Sequence, residues 1–297
     1  MPALIIDGKK IAEEIKSELK AEIEKLRSQN IIPGLAAILV GDNPASALYV
    51  KMKAQACEKI GIYSEVINLE KSISQNDLQK IILDLNKREE IDGILVQSPL
   101  PTHIEEQQIT ISIDPNKDVD GFHPYNQGML IAGKPLFQPA TPLGIMELLH
   151  RSGHNPSGKH VVILGRGFIV GRPLAVMLGL KTDMANATVT LCHTGTKNIP
   201  TFTKSADIII AAMGKARFLT ADMVKPGAVI IDVGTNQIND STHPKGSRLV
   251  GDVDFESVKE IAGAITPVPG GVGPMTIAAL LKNTVLACRL RRKSNYC

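Results

Sequence analysis

Two side chains of types used in general acid–base catalysis lie close together near the start of a predicted helix. Tyr49 and Lys53 are four residues apart in the stretch from about 45 to 60, and that spacing places them on one helix face near the carboxyl edge of the predicted sheet. Alone, a tyrosine and a lysine at this spacing usually form a surface pair. Gln97, at the end of a neighbouring predicted strand, favours catalysis, because a lysine with a partner amide in a cleft can act as a general base. Burial would have to lower the lysine pKa from about 10.4 towards about 7–8 for that role.

Three acidic residues, Asp114, Asp118 and Asp120, occur in the segment that ends at Phe122. Metal binding is one interpretation, but the segment lacks the loop length and the terminal glutamate of a calcium site. Turn formation is a second, because aspartate before proline or glycine commonly builds turns. A third is a carboxylate that pairs with adjacent N–H donors of a heterocycle. Turn formation applies to the segment in any case, and pairing with a heterocycle is the functional hypothesis for Asp120.

A glycine-rich stretch in the second half of the chain has the layout of a nucleotide-binding turn. Residues 161–164 are expected to form a buried strand, and the apolar run 168–170 is expected to open a helix. Gly165, Gly167 and Gly171 interrupt this stretch, in the spacing Gly-x-Gly-x-x-x-Gly. That spacing is one residue longer than the usual dinucleotide fingerprint. A turn of this kind leaves free backbone N–H groups at a helix N-terminus, where the helix dipole favours a phosphate.

The end of the next predicted strand bears on which dinucleotide this turn would bind. An NAD site usually places an acidic residue there to bind the ribose 2′-hydroxyl. Here Cys192 is followed by His193, Thr194 and Lys197, with no acid, while Arg166 lies in the turn. A pocket of cations and hydroxyls suits a 2′-phosphate, because arginine pairs with phosphate through charge-assisted bonds. The sequence therefore favours NADP over NAD, although a structural role in the loop explains His193 by itself equally well.

Strands and helices alternate along both halves of the chain, which indicates parallel α/β layers. In the first half, helices are predicted at about 11–26, 45–60 and 74–87, and strands at 35–40, 63–69 and 93–97. Ligands bind at the carboxyl ends of such strands, where the turns at 41–44 and 97–101 lie. In the second half, strands are predicted at 161–164, 187–192, 206–211 and 228–233, and a long helix at 275–290. The segment 114–138 is predicted to be a functional loop that leads to a linker.

Composition limits the class of protein. A chain of 297 residues is long enough for two domains of about 150 residues each. A net charge of +3 is too small to indicate nucleic-acid binding, and the basic cluster at 289–293 is interpreted as a solvated helix end. No apolar run approaches the ~20 residues that a membrane span needs, and no signal peptide is evident. We therefore expect a cytoplasmic protein with reduced thiols.

Cysteine spacing argues against a metal site and against thiol chemistry. Cys57, Cys192, Cys288 and Cys297 form no C-x-x-C pair, so that no zinc site and no other metal site is expected. Cys192 has no evident base partner, and a buried structural role is therefore the better interpretation than a nucleophile.

Together these residues resemble the bifunctional methylenetetrahydrofolate dehydrogenase/methenyltetrahydrofolate cyclohydrolase family over nearly the whole chain. The motifs that carry the resemblance are Tyr-Val-Lys-Met-Lys at 49–53, Val-Gln-Ser-Pro-Leu-Pro at 96–101, Asp-Val-Asp-Gly-Phe at 118–122, Gly-Arg-Gly-Phe-Ile-Val-Gly-Arg-Pro at 165–173 and Pro-Val-Pro-Gly-Gly-Val-Gly-Pro-Met-Thr at 267–276. The last motif is specific, and the set together argues against an accidental match.

The resemblance implies an activity and an architecture. Such an enzyme oxidises 5,10-methylenetetrahydrofolate to 5,10-methenyltetrahydrofolate with NADP and hydrolyses the product to 10-formyltetrahydrofolate, in one-carbon metabolism linked to purine biosynthesis. The implied fold is two-domain α/β, with an N-terminal catalytic folate domain at 1–140 and a Rossmann-type NADP-binding domain, a doubly wound parallel sheet, at 141–274. The folate cleft would lie between the domains, and the final helix, 275–297, would pack back on the first. Tetrahydrofolate derivatives as ligands and a homodimer are also implied.

By the same resemblance, four residues of the first domain serve catalysis and folate binding. Lys53 is the catalytic lysine of the cyclohydrolase step, and Tyr49 stacks on the folate. Gln97 orients and tunes Lys53, and Asp120 binds the edge of the pterin. The other assigned residues are Gly270 and Thr276 at the border of the folate cleft, and Gly165, Arg166, Gly167, Gly171, His193 and Thr194 around the cofactor.

Three positions depart from the family pattern. Gly167 stands where the family usually has serine, which removes a hydroxyl that could contact the 2′-phosphate. Ser98 replaces the usual leucine and Ala140 the usual cysteine, and neither change removes a candidate catalytic group. The alternatives are a dehydrogenase with weak or no cyclohydrolase activity or with NAD preference, and a non-catalytic folate- or nucleotide-binding protein. Joint retention of Tyr49, Lys53, Gln97 and Asp120 argues against the last, since a binding protein needs no lysine with a tuning partner.

Overall fold

The computed structural model describes residues 2–241 and 246–293. Its strands are β1 (Leu4–Ile5), β2 (Gly34–Val40), β3 (Tyr63–Leu69), β4 (Gly93–Val96), β5 (His160–Leu164), β6 (Thr188–Cys192), β7 (Ile208–Ala211), β8 (Val229–Asp232), β9 (Asn236–Asn239), β10 (Ser247–Val250) and β11 (Ala264–Ile265). Its helices are α1 (Gly8–Arg27), α2 (Pro44–Ile60), α3 (Gln75–Lys87), α4 (Glu106–Ser112), α5 (Pro124–Ile131), α6 (Ala140–Arg151), α7 (Gly171–Gly179), α8 (Ile199–Thr203), α9 (Phe255–Val258) and α10 (Val272–Lys293), with a short 3-10 helix at Ala221–Met223.

The described residues form two compact units. The six-stranded unit comprises the described parts of residues 1–12 and 141–276, and the three-stranded unit those of residues 13–140 and 277–297. The two-domain α/β class is confirmed. The predicted boundary differs from this division at the N-terminus, because β1 pairs in parallel with β11 of the six-stranded unit. A strand of two residues leaves no pattern in the sequence, and residues 294–297 of the predicted final helix lie outside the described residues.

In the three-stranded unit the strands are parallel, in the order β3-β2-β4. The central strand, β2, is buried along its whole length, and a strand covered on both faces shows this unbroken apolar run. One face of the sheet packs on α3 and α4 through an aliphatic cluster that includes Ile38, Ile82, Ile94 and Ile109. Ser74 Oγ caps α3 by accepting a hydrogen bond from the amide of Asp77, the third residue of the helix.

The helix α5 is a difference from the sequence prediction, which makes the segment 114–138 a loop. His123 Nδ1 accepts a hydrogen bond from Tyr125 N at 3.0 Å, and Pro124 occupies the first turn, so that both helix-starting signals are present. Only Asn126 and Leu130 of its eight residues are buried. A helix this short and this exposed has no periodic apolar face from which it could be predicted.

The six-stranded sheet is parallel, in the order β1-β11-β8-β7-β5-β6. From β5 the chain moves outward to β6, returns to β7 on the other side of β5 and continues to β8. This is the predicted doubly wound topology. The direction reverses between β5 and β7, and ligands of such sheets bind at the carboxyl ends of the strands at this switch point.

The end of α10 differs from the prediction of a solvated helix. Arg291 donates to Asp92 Oδ1 at 2.7 Å, and Arg292 approaches Asp92 Oδ2 at 3.3 Å. The Asp92 carboxylate is fully buried, and two guanidinium groups neutralise it. In the same unit, Asn283 Nδ2 donates to two backbone carbonyls, at 2.8 and 2.9 Å. The solvated interpretation is therefore wrong for Arg291 and Arg292, because the end of α10 is paired with Asp92 within the three-stranded unit.

Two remaining expectations concern thiols and membranes. Cys192 is free and buried, as its structural interpretation predicts; Cys57 and Cys288 are also free and buried, and Cys297 lies outside the described residues. Among residues 2–241 and 246–293, no helix combines the length and the apolar character that crossing a bilayer requires.

Candidate active site

The position of Lys53 follows from how α2 begins. Gly41 turns the chain after β2 with a φ of +81°. Asn43 Oδ1 then accepts hydrogen bonds from the amides of Ala45 and Ser46, at 3.0 and 3.1 Å, and caps the helix. Since α2 starts at the carboxyl end of β2, its early turns lie beside the ends of the strands. Lys53, in the third turn, is only 8% exposed.

Gln97 holds the lysine from the end of β4. Lys53 Nζ donates to Gln97 Oε1 at 3.1 Å, and Gln97 Nε2 donates to the carbonyl of Ser98 at 2.7 Å. The second bond fixes which end of the amide faces the lysine. The predicted contact between Lys53 and Gln97 is confirmed, and its catalytic role stays a prediction. Tyr49, one turn earlier on α2, is 37% exposed, which leaves its ring available to a ligand.

The loop that carries Asp120 is held by its neighbouring acid. Asp118 is buried, and its carboxylate accepts hydrogen bonds from Phe122 N at 3.2 Å, His123 N at 2.8 Å and Asn126 Nδ2 at 2.8 Å. The turn interpretation of this acidic segment is therefore confirmed. Because Asp118 ties the loop on the far side of Asp120, it restricts where the Asp120 carboxylate can point.

A buried lysine anchors the same loop from the other side. Lys117 Nζ donates to the carbonyls of Leu85 at 2.9 Å and Arg88 at 2.7 Å, at the end of α3. Its own carbonyl accepts from Ile94 N at 2.8 Å, which places the loop alongside β4. Burial lowers the pKa of Lys117 to about 8. The sequence analysis did not identify Lys117, Asp118 and Asn126 as positioning groups. The local signal that could have pointed to them is the clustering of acidic residues in the segment that ends at Phe122.

Burial shifts the pKa values of Lys53 and Asp120, whose charges interact in this corner. It lowers the pKa of Lys53, and the charge of Asp120 opposes that shift. Burial also raises the pKa of Asp120 to about 6; the Lys53 charge lowers it and the Asp118 charge raises it. A lysine with a depressed pKa can accept a proton at neutral pH, and a carboxylate beside it can accept hydrogen bonds from a ligand. We call Tyr49, Lys53, Gln97 and Asp120 the lysine corner.

The glycine-rich turn lies at the end of β5 in the six-stranded unit. Gly165 has a φ of +118°, and a Cβ there would overlap the carbonyl of Ala212. A Cβ at Gly171 would overlap the carbonyl of Gly165, whereas one at Gly167 would meet no atom within 4 Å. The first and last glycines are thus required by close backbone approach, and the middle one is not.

The helix after the turn begins later than predicted. The run 168–170 forms a turn, and α7 starts at Gly171. Phe168 and Ile169 are exposed, so their apolar character does not mark a buried helix face. Arg172 Nε donates to the carbonyl of Arg166 at 3.0 Å and so braces the turn. The backbone cradle and the helix start together fit a dinucleotide phosphate.

The cationic residues predicted around the cofactor follow two adjacent strand ends. β5 and β6 are paired, and Gly165 N donates to the carbonyl of Cys192 at 2.8 Å. Arg166 and Thr194 are exposed. His193 Nδ1 accepts from Gly195 N at 3.1 Å, so that neutral His193 carries its proton on Nε2. The ring thus stabilises its own loop, which agrees with the structural interpretation of this histidine. Its Nε2–H group remains a donor that a ligand can use.

Gly270 and Thr276 lie in the six-stranded unit, before and within the first turns of α10. Gly270 has a φ of +111°, and its carbonyl accepts from Lys9 N at 2.9 Å. Thr276 Oγ1 lies 3.0 Å from Thr141 Oγ1, at the start of α6. The structure places the lysine corner in the other unit. In the described part of the chain, no three His, Cys, Asp or Glu side chains are grouped to hold a metal ion.

Two family models match the chain. Residues 6–120 match the tetrahydrofolate dehydrogenase/cyclohydrolase catalytic domain, and residues 139–292 match the NAD(P)-binding domain of the same family. A similar relative is the bifunctional protein FolD of Chlorobium limicola, which is 54% identical over 285 residues, 95% of this chain and 96% of the relative. The resemblance that the motifs indicate is thereby confirmed.

Solved structures of similar proteins agree with these family matches. A bifunctional FolD methylenetetrahydrofolate dehydrogenase/cyclohydrolase from Campylobacter jejuni is 49% identical, with a TM-score of 0.92 over 97% of this chain and 99% of that one. A Trypanosoma brucei methylenetetrahydrofolate dehydrogenase-cyclohydrolase, complexed with NADP cofactor and inhibitor, is 37% identical, with a TM-score of 0.93 over 99% of both chains. With both domain models matched and such relatives over almost its whole length, the chain belongs to the tetrahydrofolate dehydrogenase/cyclohydrolase family.

Proposed function

We propose that this chain oxidises 5,10-methylenetetrahydrofolate to 5,10-methenyltetrahydrofolate with NADP and then hydrolyses the methenyl compound to 10-formyltetrahydrofolate. Family membership, with both domains matched, supports the two activities. The hydrolytic half is carried by one observation, the 3.1 Å contact between buried Lys53 Nζ and Gln97 Oε1. The three-stranded unit is then the folate-binding catalytic domain, and the six-stranded unit is the cofactor domain.

The oxidation makes modest chemical demands on the protein. NADP, when bound, would supply the acceptor for the hydride that leaves the methylene carbon of the folate. The adjacent nitrogen lone pairs of the folate stabilise the resulting cation, so that this step needs no strong protein base. Orientation of the reacting rings is the main contribution of the protein to the rate. The exposed ring of Tyr49 supplies a flat face on which the folate can stack.

The hydrolysis requires a base. Water adds to the amidinium-like carbon of methenyltetrahydrofolate, a C–O bond forms, one C–N bond breaks, and one proton is released. Lys53 Nζ in its neutral form takes a proton from the attacking water, because burial lowers its pKa and so increases the neutral fraction. Gln97 Oε1 keeps Nζ in place. Asp120 is mostly ionised above its pKa of about 6 and accepts hydrogen bonds from the N–H edge of the pterin.

Preference for NADP is the second part of the proposal. Arg166 lies exposed in the turn, and the adjacent strand end carries His193 and Thr194 in place of an acid. A cation and hydrogen-bond donors at this position favour a 2′-phosphate over a free hydroxyl. Gly167 supports the alternative of NAD preference, because it supplies no hydroxyl to the same pocket.

A homodimer is the third part, and the edge of the three-stranded sheet supports it. β3 is an edge strand, with Tyr63 and Val66 exposed, and Leu48 and Met52 are exposed on the neighbouring α2. An edge strand with exposed apolar side chains is a template for pairing with a second copy of the chain. We expect Val66→Asp to yield a monomer in light scattering, and Leu83→Asp, at an exposed position of α3, to leave the assembly intact. A dimeric Val66→Asp variant would contradict this surface.

Two cellular assignments belong to the same proposal. The free buried thiols Cys57, Cys192 and Cys288 are compatible with a reducing cytoplasm. The 10-formyl product is a one-carbon donor, which links the enzyme to purine biosynthesis.

The test is a steady-state assay of methylenetetrahydrofolate oxidation with NADP and NAD side by side, with the methenyl compound followed in the same sample. We expect a higher kcat/KM with NADP and little accumulation of the methenyl compound beyond an enzyme-free control. Reduction of neither cofactor would contradict the dehydrogenase. Accumulation of methenyl compound in step with the reduced cofactor would contradict the cyclohydrolase, and a higher kcat/KM with NAD would establish the alternative.

A further inference from the structure

Two buried aspartates lie at the carboxyl edge of the six-stranded sheet, outside the glycine-rich turn. Asp232 ends β8 and is 3% exposed, and Asp252, two residues after β10, is fully buried. Asp232 Oδ1 accepts from Asp252 N at 2.9 Å, and Asp232 Oδ2 accepts from Val253 N at 3.0 Å. Burial, together with the charge of Asp252, raises the pKa of Asp232 to about 7. The end of β8 is thereby tied to the segment after β10.

Asp252 in turn holds the loop that follows β7. We call residues 212–214 the β7 loop. Asp252 Oδ2 accepts from Met213 N at 2.6 Å and from Gly214 N at 2.8 Å, while its Oδ1 accepts from Asn236 Nδ2 at 2.8 Å. Bonds from backbone N–H groups to an ionised carboxylate are about twice as strong as neutral ones. One buried side chain therefore fixes two consecutive amides of the β7 loop.

Two glycines make this close approach possible. A Cβ at Gly234 would overlap Asp252, and a Cβ at Gly251 would overlap the Asp232 carboxylate. Each aspartate thus faces a glycine of the other segment, in the sequence pairs Asp232-x-Gly234 and Gly251-Asp252. Such a reciprocal fit leaves little freedom in where Asp252 points.

The β7 loop borders the glycine-rich turn. Ala212 N donates to the carbonyl of Leu164 at 2.8 Å, and the carbonyl of Ala212 occupies the space that a Cβ on Gly165 would need. The switch point of the sheet lies between β5 and β7, where doubly wound folds bind their ligands. The β7 loop is therefore a wall of the same crevice whose floor begins at the glycine-rich turn.

We propose that Asp252 is a positioning residue for dinucleotide binding, which holds the β7 loop against the glycine-rich turn, with Asn236 holding Asp252 in place. The inference rests on the proposed function in one respect: the ligand of this crevice is NADP. Asp252 acts through the backbone of the β7 loop, so its effect is on cofactor affinity more than on the folate chemistry.

The key variant is Asp252→Ala, which leaves the amides of Met213 and Gly214 without their acceptor. We expect the Kd for NADPH to rise at least tenfold. Asp252→Asn keeps an acceptor oxygen for both amides, because the Asn236 amide can rotate to accept the new N–H group. The Kd of this variant for NADPH is expected to stay within about threefold of the unmodified chain. The reason is that a neutral acceptor in place of a charged one weakens the two hydrogen bonds, whereas alanine removes them. Rescue by asparagine separates positioning from a general loss of packing.

A matched control lies at the other end of the same strand. Asp207, just before β7, accepts from His160 N at 3.0 Å and from Lys225 Nζ at 2.8 Å. Asp207→Ala also removes a carboxylate that bonds a backbone amide between β5 and β7, but at the amino edge of the sheet. We expect this variant to lower the unfolding temperature without raising the Kd for NADPH.

The experiment is a calorimetric titration of the full-length proteins with NADPH, in the absence of folate, beside thermal unfolding of each variant. No binding by the unmodified chain would contradict the proposed function itself. Binding by the unmodified chain with an unchanged Kd for Asp252→Ala would overturn the inference, as would an equal rise for Asp207→Ala. If Asp252→Ala does not fold, Asn236→Ala decides, since it removes only the donor to Asp252 Oδ1. A Kd raised at least threefold supports the inference, and an unchanged Kd overturns it.

Discussion

The lysine corner and the glycine-rich turn both lie at the carboxyl ends of parallel strands, but side chains form the first and backbone atoms form the second. In the corner, burial lowers the pKa of Lys53 and raises the pKa of Asp120, so that both move towards neutrality. In the turn, the backbone forms the site, and Gly165 and Gly171 matter for the Cβ atoms they lack. The corner is thus vulnerable to the loss or neutralisation of a group, and the turn to the addition of one atom.

Removal of the lysine amine is the most damaging change at the corner. We expect Lys53→Met to lower methenyltetrahydrofolate hydrolysis about 10²–10⁴-fold, the usual contribution of a positioned general base, with much smaller loss of folate binding. Lys59→Met, at an exposed position of the same helix, is the matched control and should keep full activity. Normal hydrolysis by the Lys53 variant would remove this residue from the mechanism.

Addition of a methyl group should be the most damaging change at the turn. Gly165→Ala places a Cβ on the Ala212 carbonyl at a φ of +118°, so that the turn must shift. We expect the Kd for NADPH to rise about 100-fold and the unfolding free energy to fall by about 1–3 kcal/mol. Gly167→Ala, which meets open space, should leave the Kd within about twofold and the unfolding free energy within about 0.5 kcal/mol. Similar losses in the two variants, measured by titration and urea unfolding, would contradict the backbone account.

A side chain of the turn is expected to read the cofactor. Arg166→Ala should raise the KM for NADP about 10–100-fold, which corresponds to the loss of a hydrogen bond to a charged group, and leave the KM for NAD nearly unchanged. Arg172→Ala removes the brace on the Arg166 carbonyl and should affect the two cofactors alike. Equal effects of Arg166→Ala on NADP and NAD would show that this residue does not contact the 2′-phosphate.

Asp120 should reveal the energetic cost of the corner. Its pKa is about 6 in the folded protein and about 3.9 in an unfolded chain, so its charge destabilises the fold above pH 6 and has no effect below about pH 4. Asp120→Asn should therefore raise the unfolding free energy by about 2–3 kcal/mol at pH 7.5, and the gain should vanish near pH 4. Urea unfolding at the two pH values checks this. A gain of equal size at both pH values would show that burial of the Asp120 charge does not destabilise the fold.

The corner was predictable where local geometry decides it. Tyr49 and Lys53 share a helix face by spacing alone, and the strand-end rule brings Gln97 to the lysine. The anchoring of the Asp120 loop was not predictable, because Lys117 finds its acceptors at the end of α3, about 30 residues earlier in the chain. A buried lysine that binds two carbonyls leaves no periodic signal in the sequence.

The turn shows the same division between local and distant causes. The roles of Gly165 and Gly171 follow from the glycine spacing, whereas the open space at Gly167 depends on atoms that only the fold brings near or keeps away. The predicted start of α7 was too early, because the apolar residues Phe168 and Ile169 lie exposed in a turn. Residue type alone does not distinguish such a turn from the apolar face of a helix. The hydrogen-bond network of Asp232 and Asp252 could not be predicted, because its members are up to about 40 residues apart in the sequence.

Lys53, a buried lysine of depressed pKa, acts as the base of hydrolysis. The decisive measurement is the pH dependence of methenyltetrahydrofolate hydrolysis by the unmodified enzyme, corrected for the rate with Lys53→Met. We predict a rate that rises with pH to a plateau, with its midpoint well below the ordinary lysine pKa of about 10.4. A midpoint near that ordinary value, or an identical profile in the Lys53→Met variant, would show that Lys53 is not the base.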